Sequence, residues 1–600
     1  MKPMMPTLSF QIPEGQDWIY ETKFDGFRVF LQAEEGRLSL MSRNGKDLTI
    51  FFPEIKQFIE KYLPIWKPFF PLLLDGELAV LKSAFSSDFS LLKKSWKRKE
   101  KKAEDLPVRF LVFDVLLYKG QNLAKMPLKM RKKKLFSLFQ SLRLPLHVCP
   151  EFEQLIQMVE CYDQFSSLWE LVRKHNGEGI IAKHLTSTYE HGKRTKNWLK
   201  IKNYKKALFI VSGMDQTNGY VHVSVHHKEK MIPVGVFSHG MSEEEKRALL
   251  HIIKKKGRKK NSLYSIDPAI CIKLFFLSFQ GETLREPFFD SFQLDHDWRE
   301  CTYLQLKMAE ANAEEVSITH LEKPLWPKDN WQKQDFLLYL LDASDYMLPF
   351  LQDRTLTVIR YPHGIMGDSF FQKNCPDYAP DFIETKMIDG IHYIICNDKR
   401  SLLWLGNQLA IEFHIPFHKT EKNNPIEIVF DLDPPSKNEF HLAVFAALQL
   451  KSCLDRFDII SFPKLSGNKG IQVHIPIGSD DITYDETRIF TSFFAHYLEK
   501  QFPDKLTTER LKKKRADRLY IDYVQHGERK TIIAPYSVRG NENGIVAAPL
   551  YWSEVNDKLD MERFTMEYCV NRLKSIDCPM TNFFYINQEE KIREIIRHLS

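Results

Sequence analysis

The amino-acid sequence predicts a multidomain α+β protein with three folded parts. A chain of 600 residues is too long for one hydrophobic core, because single cores stop growing at about 250–300 residues. Up to residue 205, period-two apolar alternation is interleaved with 3.6-residue periodicity. Residues 206–295 instead carry short strands separated by Gly-, Asn- and His-containing turns, the pattern of a small β-barrel. A polar connector, Gln305 to Glu315, then leads into a second α+β stretch.

Taken in order, Trp18 to Ser42 alternates in period two around the turn Glu34-Glu35-Gly36 and predicts a hairpin. Helical spacing follows at Pro53 to Leu63, Pro127 to Phe139 and Phe165 to Lys174, with strands at Leu72 to Leu81, Val108 to Leu117 and Gly179 to Lys183. In the barrel region, Ser242 and Glu245 form a capping box ahead of the Leu249/Ile252/Ile253 stripe. Beyond the connector, helices are expected at Trp331 to Leu348, Phe440 to Leu454 and Asp485 to Glu499. Strands are expected there at Ile426 to Leu432, Ile471 to Ile475, Leu519 to Val524 and Thr531 to Ala534.

The composition, 43% hydrophobic and 27% charged, is that of a soluble globular protein. The net charge is only +7, but basic residues cluster at Lys93 to Lys102, Arg131 to Lys134, Lys254 to Lys260 and Lys512 to Arg515. One such run is ordinary solvated surface; four favour a polyanionic partner such as nucleic acid. The nine cysteines form no C-x-x-C pair and no zinc spacing, which fits reduced thiols in the cytoplasm. Met1 to Phe10 has no signal-peptide pattern, and apolar stretches such as Ile65 to Leu74 are too short to span a bilayer. No membrane association is expected.

The chemistry begins at Lys23-Phe24-Asp25-Gly26-Phe27-Arg28. On an extended segment Lys23 and Asp25 share a face, Gly26 permits close approach, and Arg28 offers a fork of donors for phosphate or ribose oxygens. A lysine amine becomes a nucleophile once it is desolvated or set beside another cation. Downstream lie Asp75-Gly76-Glu77, Phe113-Asp114, Glu178-Gly179 through Lys183, and Trp198-Leu199-Lys200-Ile201-Lys202. Singly, each reads as a polar strand end or a charged edge. Together they supply a nucleophile, metal-binding carboxylates and cations for a phosphate that gains charge.

In order and spacing, these segments with Ser42-Arg43-Asn44-Gly45 resemble the successive motifs of ATP-dependent DNA ligases. Those enzymes belong to the nucleotidyltransferase superfamily, with an ATP-grasp-like ligase domain. The resemblance implies that Lys23 takes AMP from ATP, passes it to a DNA 5′-phosphate, and so prepares the nick for sealing. It implies that Glu21 reads the adenine amino group, Phe113 stacks on the base, Arg28 contacts ribose or phosphate, and Arg43 contacts the nick phosphate. Glu77 and Glu178 become ribose-contacting and metal-binding acids, Lys183 lines the ATP site, and Lys200 and Lys202 clamp the α-phosphate. The barrel becomes an OB-fold, and Gly281-Glu-Thr-Leu-Arg285-Glu-Pro-Phe resembles the family's terminal segment.

A second constellation lies in Val429-Phe430-Asp431-Leu432-Asp433-Pro434-Pro435, where period two puts Asp431 and Asp433 on one strand face. A divalent cation, Mg²⁺ or Mn²⁺, would relieve their repulsion. Asp522, alone in the apolar strand Leu519-Tyr-Ile-Asp-Tyr, needs a partner too. With Ser466-Gly467-Asn468-Lys469-Gly470, these acids resemble the core motifs of the archaeo-eukaryotic primase superfamily. The resemblance implies a primase-like polymerase domain in which Ser466, Lys469 and Arg539 hold the incoming NTP. Lys323 and Lys333 would grip a DNA 5′-phosphate, and Phe370 and Phe371 would stack on DNA. Gln472 stands where that family has a histidine; His474, two residues on, is the expected substitute.

Both halves together resemble the bacterial non-homologous end-joining ligase D family, in its Bacillus-like arrangement. The implied boundaries are an adenylation domain at 1–205, an OB-fold at 206–302, a linker at 303–317 and a polymerase domain at 318–600. The family also implies a Ku homodimer as partner, ribonucleotide-preferring gap filling, and action on nicks, gaps and double-strand break ends in the bacterial nucleoid. Two rivals stand beside this reading. An RNA ligase or capping enzyme shares the Lys23 motif but leaves the C-terminal acids unexplained. An end-binding scaffold with a decayed polymerase rests on Gln472 alone.

Overall fold

The computed structural model describes residues 2–97, 106–280 and 283–599. It divides into two compact units, Met1–Asn312 and Ala313–Ser600. The expected linker therefore contains the division, but not as a polar connector. Tyr303–Glu310 is a helix capped by Thr302 that buries Leu304, Leu306, Met308 and Ala309, of which Leu306 and Ala309 join the core of the preceding curled sheet. Packing of these apolar side chains overrides the polarity of the rest.

Two sheets build the front of the N-terminal unit. One runs Met5–Leu8, Arg194–Lys202, Gly179–His184, Trp18–Thr22. The other contains, in order, Arg37–Ser42, Phe27–Glu34, Leu72–Ser83 and Val108–Tyr118. The expected hairpin is thus Phe27–Glu34 with Arg37–Ser42, turning at Gly36 with φ +73°. Trp18–Thr22 leaves it for the other sheet, so consecutive strands carry Glu21 and Arg28 onto different sheets. Leu74, Leu78, Val112 and Phe110 pack with Ile55, Ile59, Leu135 and Phe139 of two amphipathic helices, Pro53–Lys61 and Leu128–Leu142.

Behind them a seven-stranded antiparallel sheet, led by Lys205–Asp215, curls around Phe209, Val223, Leu274 and Phe276. Its helix Glu243–Lys256 starts at the expected reciprocal cap between Ser242 and Glu245 and ends on exposed Lys254 to Lys256. Part of the Lys93 to Lys102 run, and Gly281 and Glu282, lie outside the described residues.

The C-terminal unit centres on a five-stranded sheet in the order Phe462–Leu465, Ile471–Pro476, Glu427–Asp433, Leu519–Asp522, Leu506–Thr507. The helices Phe440–Asp455 and Tyr484–Gln501 cover it with Ala443, Ala447, Leu450, Phe490 and Phe494. A four-stranded sheet includes Thr357–Arg360 and Ala410–Ile415 and carries the helix Lys399–Asn407, against which the largely buried helix Lys333–Leu351 packs. Among the described residues, no helix is long and apolar enough to cross a membrane.

Candidate active sites

In the N-terminal unit, backbone pairing assembles the first constellation. Trp18–Thr22 runs antiparallel to Gly179–His184, and the Lys23 amide continues the ladder by donating to the Gly179 carbonyl at 2.9 Å. This registers Lys23 with Glu178, and Nζ pairs with the Glu178 carboxylate. Gly26 is required by the turn that follows, since a Cβ there would sit 2.2 Å from the Leu78 carbonyl oxygen. The turn delivers Arg28 opposite Glu77 on the neighbouring strand.

Burial dominates the electrostatics. It pushes the Glu77 carboxyl up to about 8, against the pull of Lys23 and Arg28 and with the push of Glu178 and Asp75. Lys200 is held below its usual value by burial and then by Lys202 and Lys23. Arg28 uses four of its five N–H groups: its fork donates to both Asp75 oxygens at 3.0 and 2.7 Å, to the Met4 carbonyl at 2.7 Å and to the Tyr189 hydroxyl at 3.2 Å, leaving one Nη1 proton for a ligand. Burial opposes its charge, but Asp75 more than restores it. Arg43 lies exposed in the turn after Arg37–Ser42.

Glu21 is buried and bridges two lysines, Lys183 at 2.6 Å and Lys132 on its other oxygen. Lys183 lies over both the Phe113 and Trp198 rings, 4.3 Å from each centroid, by cation–π attraction. Lys132 was not legible as a site residue because it belongs to a basic run. That run is not plain surface: Arg131 is fully buried, donating to both oxygens of buried Asp114 at 2.9 and 3.2 Å through Nε and again at 2.9 Å through Nη2. The barrel adds another missed residue. Glu286 accepts from Lys202 at 2.7 Å and from the Tyr204 hydroxyl at 2.9 Å, beside Arg285, which bonds Asp25.

In the C-terminal unit, Asp431 pairs across the sheet with Asp522, and Asp433 with Tyr520. Burial, then Asp433 and Asp522, raise Asp431 to about 6. Cations already attend Asp433: Lys469 at 2.9 Å and Arg515 at 3.5 Å. Asp522 accepts from the Tyr520 hydroxyl at 3.1 Å and the Gln525 amide at 2.9 Å. Among the described residues, no three acid, His or Cys side chains are drawn together tightly enough to enclose a metal. The donor set nevertheless fits a hard cation, being carboxylate oxygens on adjacent strands with a half-buried member, Asp431, pushed toward protonation by its surroundings.

Ser466 shapes the loop, its hydroxyl accepting from the Gly470 amide at 3.0 Å. Arg539 is held by Glu412 at 2.8 Å, which also binds His414 at 3.0 Å and the Gly540 amide at 3.0 Å. Lys323 and Lys333 come together: the Lys333 amide donates to the Lys323 carbonyl at 2.8 Å, at the start of Lys333–Leu351. Burial, then Lys323, bring Lys333 down to about 8. Phe370 and Phe371 are 45% and 72% exposed, Phe370 with the Arg360 guanidinium 5.4 Å from its ring centroid.

His474 is a correction. It is fully buried and bonds Glu427 at 2.8 Å, opposite Val429 rather than the acids. Gln472 itself faces Asp431, at 3.2 Å, and buried Lys464 stands behind it. Period two puts residues 472 and 474 on one face but leaves them nearly 7 Å apart along the strand, beside different neighbours.

Comparison with known proteins matches both halves of the chain. A family model described as "ATP dependent DNA ligase domain" matches residues 6–202, and "LigD, primase-polymerase domain" matches 332–580. The bifunctional non-homologous end joining protein LigD of Bacillus subtilis (strain 168) is 44% identical over 99% of each chain. This chain belongs to the bifunctional LigD family. A multifunctional LigD of Pseudomonas aeruginosa is 23% identical over 97% of this chain and 72% of its own. The solved polymerase domain of Mycobacterium tuberculosis ligase D in complex with DNA covers 45% of this chain and 98% of that one, at 26% identity and a TM-score of 0.43. Like other LigD proteins, this one is an ATP-dependent DNA ligase and a primase-type nucleotidyltransferase of non-homologous end joining, with the ligase first. The RNA-acting reading leaves the primase-polymerase match unexplained.

Proposed function

We propose that this LigD seals DNA through a lysyl-AMP on Lys23 and prepares ends through nucleotidyl transfer at Asp431, Asp433 and Asp522. The observation that carries the first step is the pairing of Lys23 with Glu178 inside a ring of Glu77, Lys200 and Lys202. Glu178 is placed to take a proton as Nζ attacks the α-phosphorus of ATP. The N–P bond forms, the bond to the β-phosphate oxygen breaks, and pyrophosphate leaves while Lys200 and Lys202 offset the growing charge. A DNA 5′-phosphate oxygen then displaces Lys23 from AMP, and the 3′-hydroxyl attacks that phosphate and expels AMP. Glu21 and Phe113 would hold the adenine, which requires Lys183 to yield its place over the Phe113 ring. Arg28 would contact ribose or phosphate, and Arg43 the nick.

In the polymerase half, Asp431, Asp433 and Asp522 would hold Mg²⁺ or Mn²⁺, which offsets charge on the phosphates during transfer. Asp433 must first exchange Lys469 and Arg515 for the cation, freeing Lys469 to join Ser466 and Arg539 on the NTP. Lys323 and Lys333, whose ammoniums now donate to the Pro362 and Thr319 carbonyls, would turn to a DNA 5′-phosphate, and the exposed rings of Phe370 and Phe371 suit base stacking. By family likeness we assign ribonucleotide preference, a Ku homodimer partner, and work in the nucleoid on nicks, gaps and break ends. The boundaries proposed are 1–205, 206–302 and 318–600, with the helix Tyr303–Glu310 assigned to the barrel rather than to a linker. Joining of a gapped duplex with ATP and either rNTPs or dNTPs tests the whole. Filled and sealed product, more of it with rNTPs, is expected; sealing of nicks with no filling of gaps would remove the polymerase half of the reading.

A further inference from the structure

Gln472 lies in the middle of a row that crosses three strands. Its cross-strand partners are Asp431 on one side and Lys464 on the other. Gln472 is 3% exposed and Lys464 fully buried, so neither can turn to water for a partner. Lys464 Nζ donates to Gln472 Oε1 at 2.5 Å and to the Ile533 carbonyl at 3.1 Å. Gln472 Nε2 donates to Asp431 Oδ1 at 3.2 Å.

The chemistry of the row fixes which way the amide points. Lys464 Nζ meets Gln472 as a donor, so the end of Gln472 that faces it is its oxygen. The NH₂ end is then left for Asp431. Without Lys464 the amide is free to flip, and its oxygen would face the carboxylate as one acceptor against another. A glutamine alone is therefore an unreliable partner for a carboxylate, whereas one clamped by a buried lysine is a fixed donor.

We infer that Lys464 is a positioning residue for metal binding, acting through Gln472 to hold Asp431 Oδ1 and leave its other oxygen for the cation. This rests on the reading of Asp431, Asp433 and Asp522 as the metal site.

The test is Mn²⁺ binding to the full-length protein, followed by the electron paramagnetic resonance of free Mn²⁺, with no nucleotide or DNA present. Asp431→Ala with Asp433→Ala defines the baseline. If wild type binds Mn²⁺ no better than this variant, the metal reading itself fails and takes the relay with it. If wild type does bind, Lys464→Met and Gln472→Asn should each weaken affinity by about 10–100-fold, the usual effect of losing a partner that orients a metal ligand. Gln472→Asn keeps the amide but is one methylene too short to span the row. The double variant should be no weaker than the worse single one, because both changes break the same chain of contacts. Should Lys464→Met not fold, Lys464→Gln replaces it with the same expectation, since a second amide no longer dictates which way Gln472 points. Unchanged affinity in the Lys464 variant, or additive losses in the double, would overturn the relay while leaving the metal site intact.

Discussion

Arg285 of the barrel reaches back 260 positions to donate to Asp25 at 2.5 Å, two residues from the amine assigned to carry AMP. Its neighbour Glu286 does the opposite job nearby, occupying Lys202 with a carboxylate where a phosphate is to bind.

This arrangement predicts that Glu286→Gln improves ATP use. Glu286 is 43% exposed, so the pair with Lys202 is weakened by solvent and worth about 0.2–1 kcal/mol. Releasing Lys202 should lower the ATP concentration for half-maximal adenylation by up to about fivefold. A higher ATP requirement in this variant would mean that Glu286 assists binding rather than competing with it.

The buried pair in the helix Leu128–Leu142 should behave differently from the rest of its basic run. Arg131→Met strands the Asp114 carboxylate in a fully buried site and should cost about 3–5 kcal/mol of stability. Lys133→Ala, a surface change, should stay within about 0.5 kcal/mol. Denaturant melts of the two variants make the comparison, and equal losses would contradict the burial assigned to Arg131.

These predictions also mark what was legible in the sequence. The strand carrying Asp431 and Asp433, the Ser242–Glu245 cap and the convergence of Lys23 with Glu178 all follow from short-range pattern or motif order. Lys132 and Arg131 do not, because a run of cations shows no periodicity of its own to reveal its inner face. Nor does His474: strand alternation tells its side of the sheet, not that Glu427 is its neighbour there. Lys464 was missed because it sits in an ordinary apolar strand, and only pairing with a third strand puts it beside Gln472.

Acid should loosen the polymerase unit first around buried His526. Burial lowers His526 to about 3, so it is neutral when folded. The unfolded chain protonates it near pH 6.5, so its contribution is complete well above that value and is lost as pH falls toward the folded pKa. The loss is about 2 kcal/mol between pH 6.5 and 5. Hydrogen exchange of peptides covering 519–526, corrected for intrinsic rates, should show weaker protection at pH 5 than at pH 7. Equal protection would contradict the assignment of a neutral, buried His526.

The two chemistries should be separable by substitution. Asp431→Ala with Asp433→Ala should abolish primer extension on a gapped duplex while leaving adenylation within about twofold of wild type, since each site is built by its own compact unit. Loss of adenylation in that variant would show that the two active sites depend on each other.

The central claim is that Lys23 is the atom-bearing centre of ligation. Incubation with α-labelled ATP and a divalent cation, followed by denaturing electrophoresis, tests it directly. Wild type should retain label on the protein through an acid-labile bond, and Lys23→Ala should retain none while still extending a primer. A labelled Lys23→Ala band would contradict the account and place the nucleophile elsewhere.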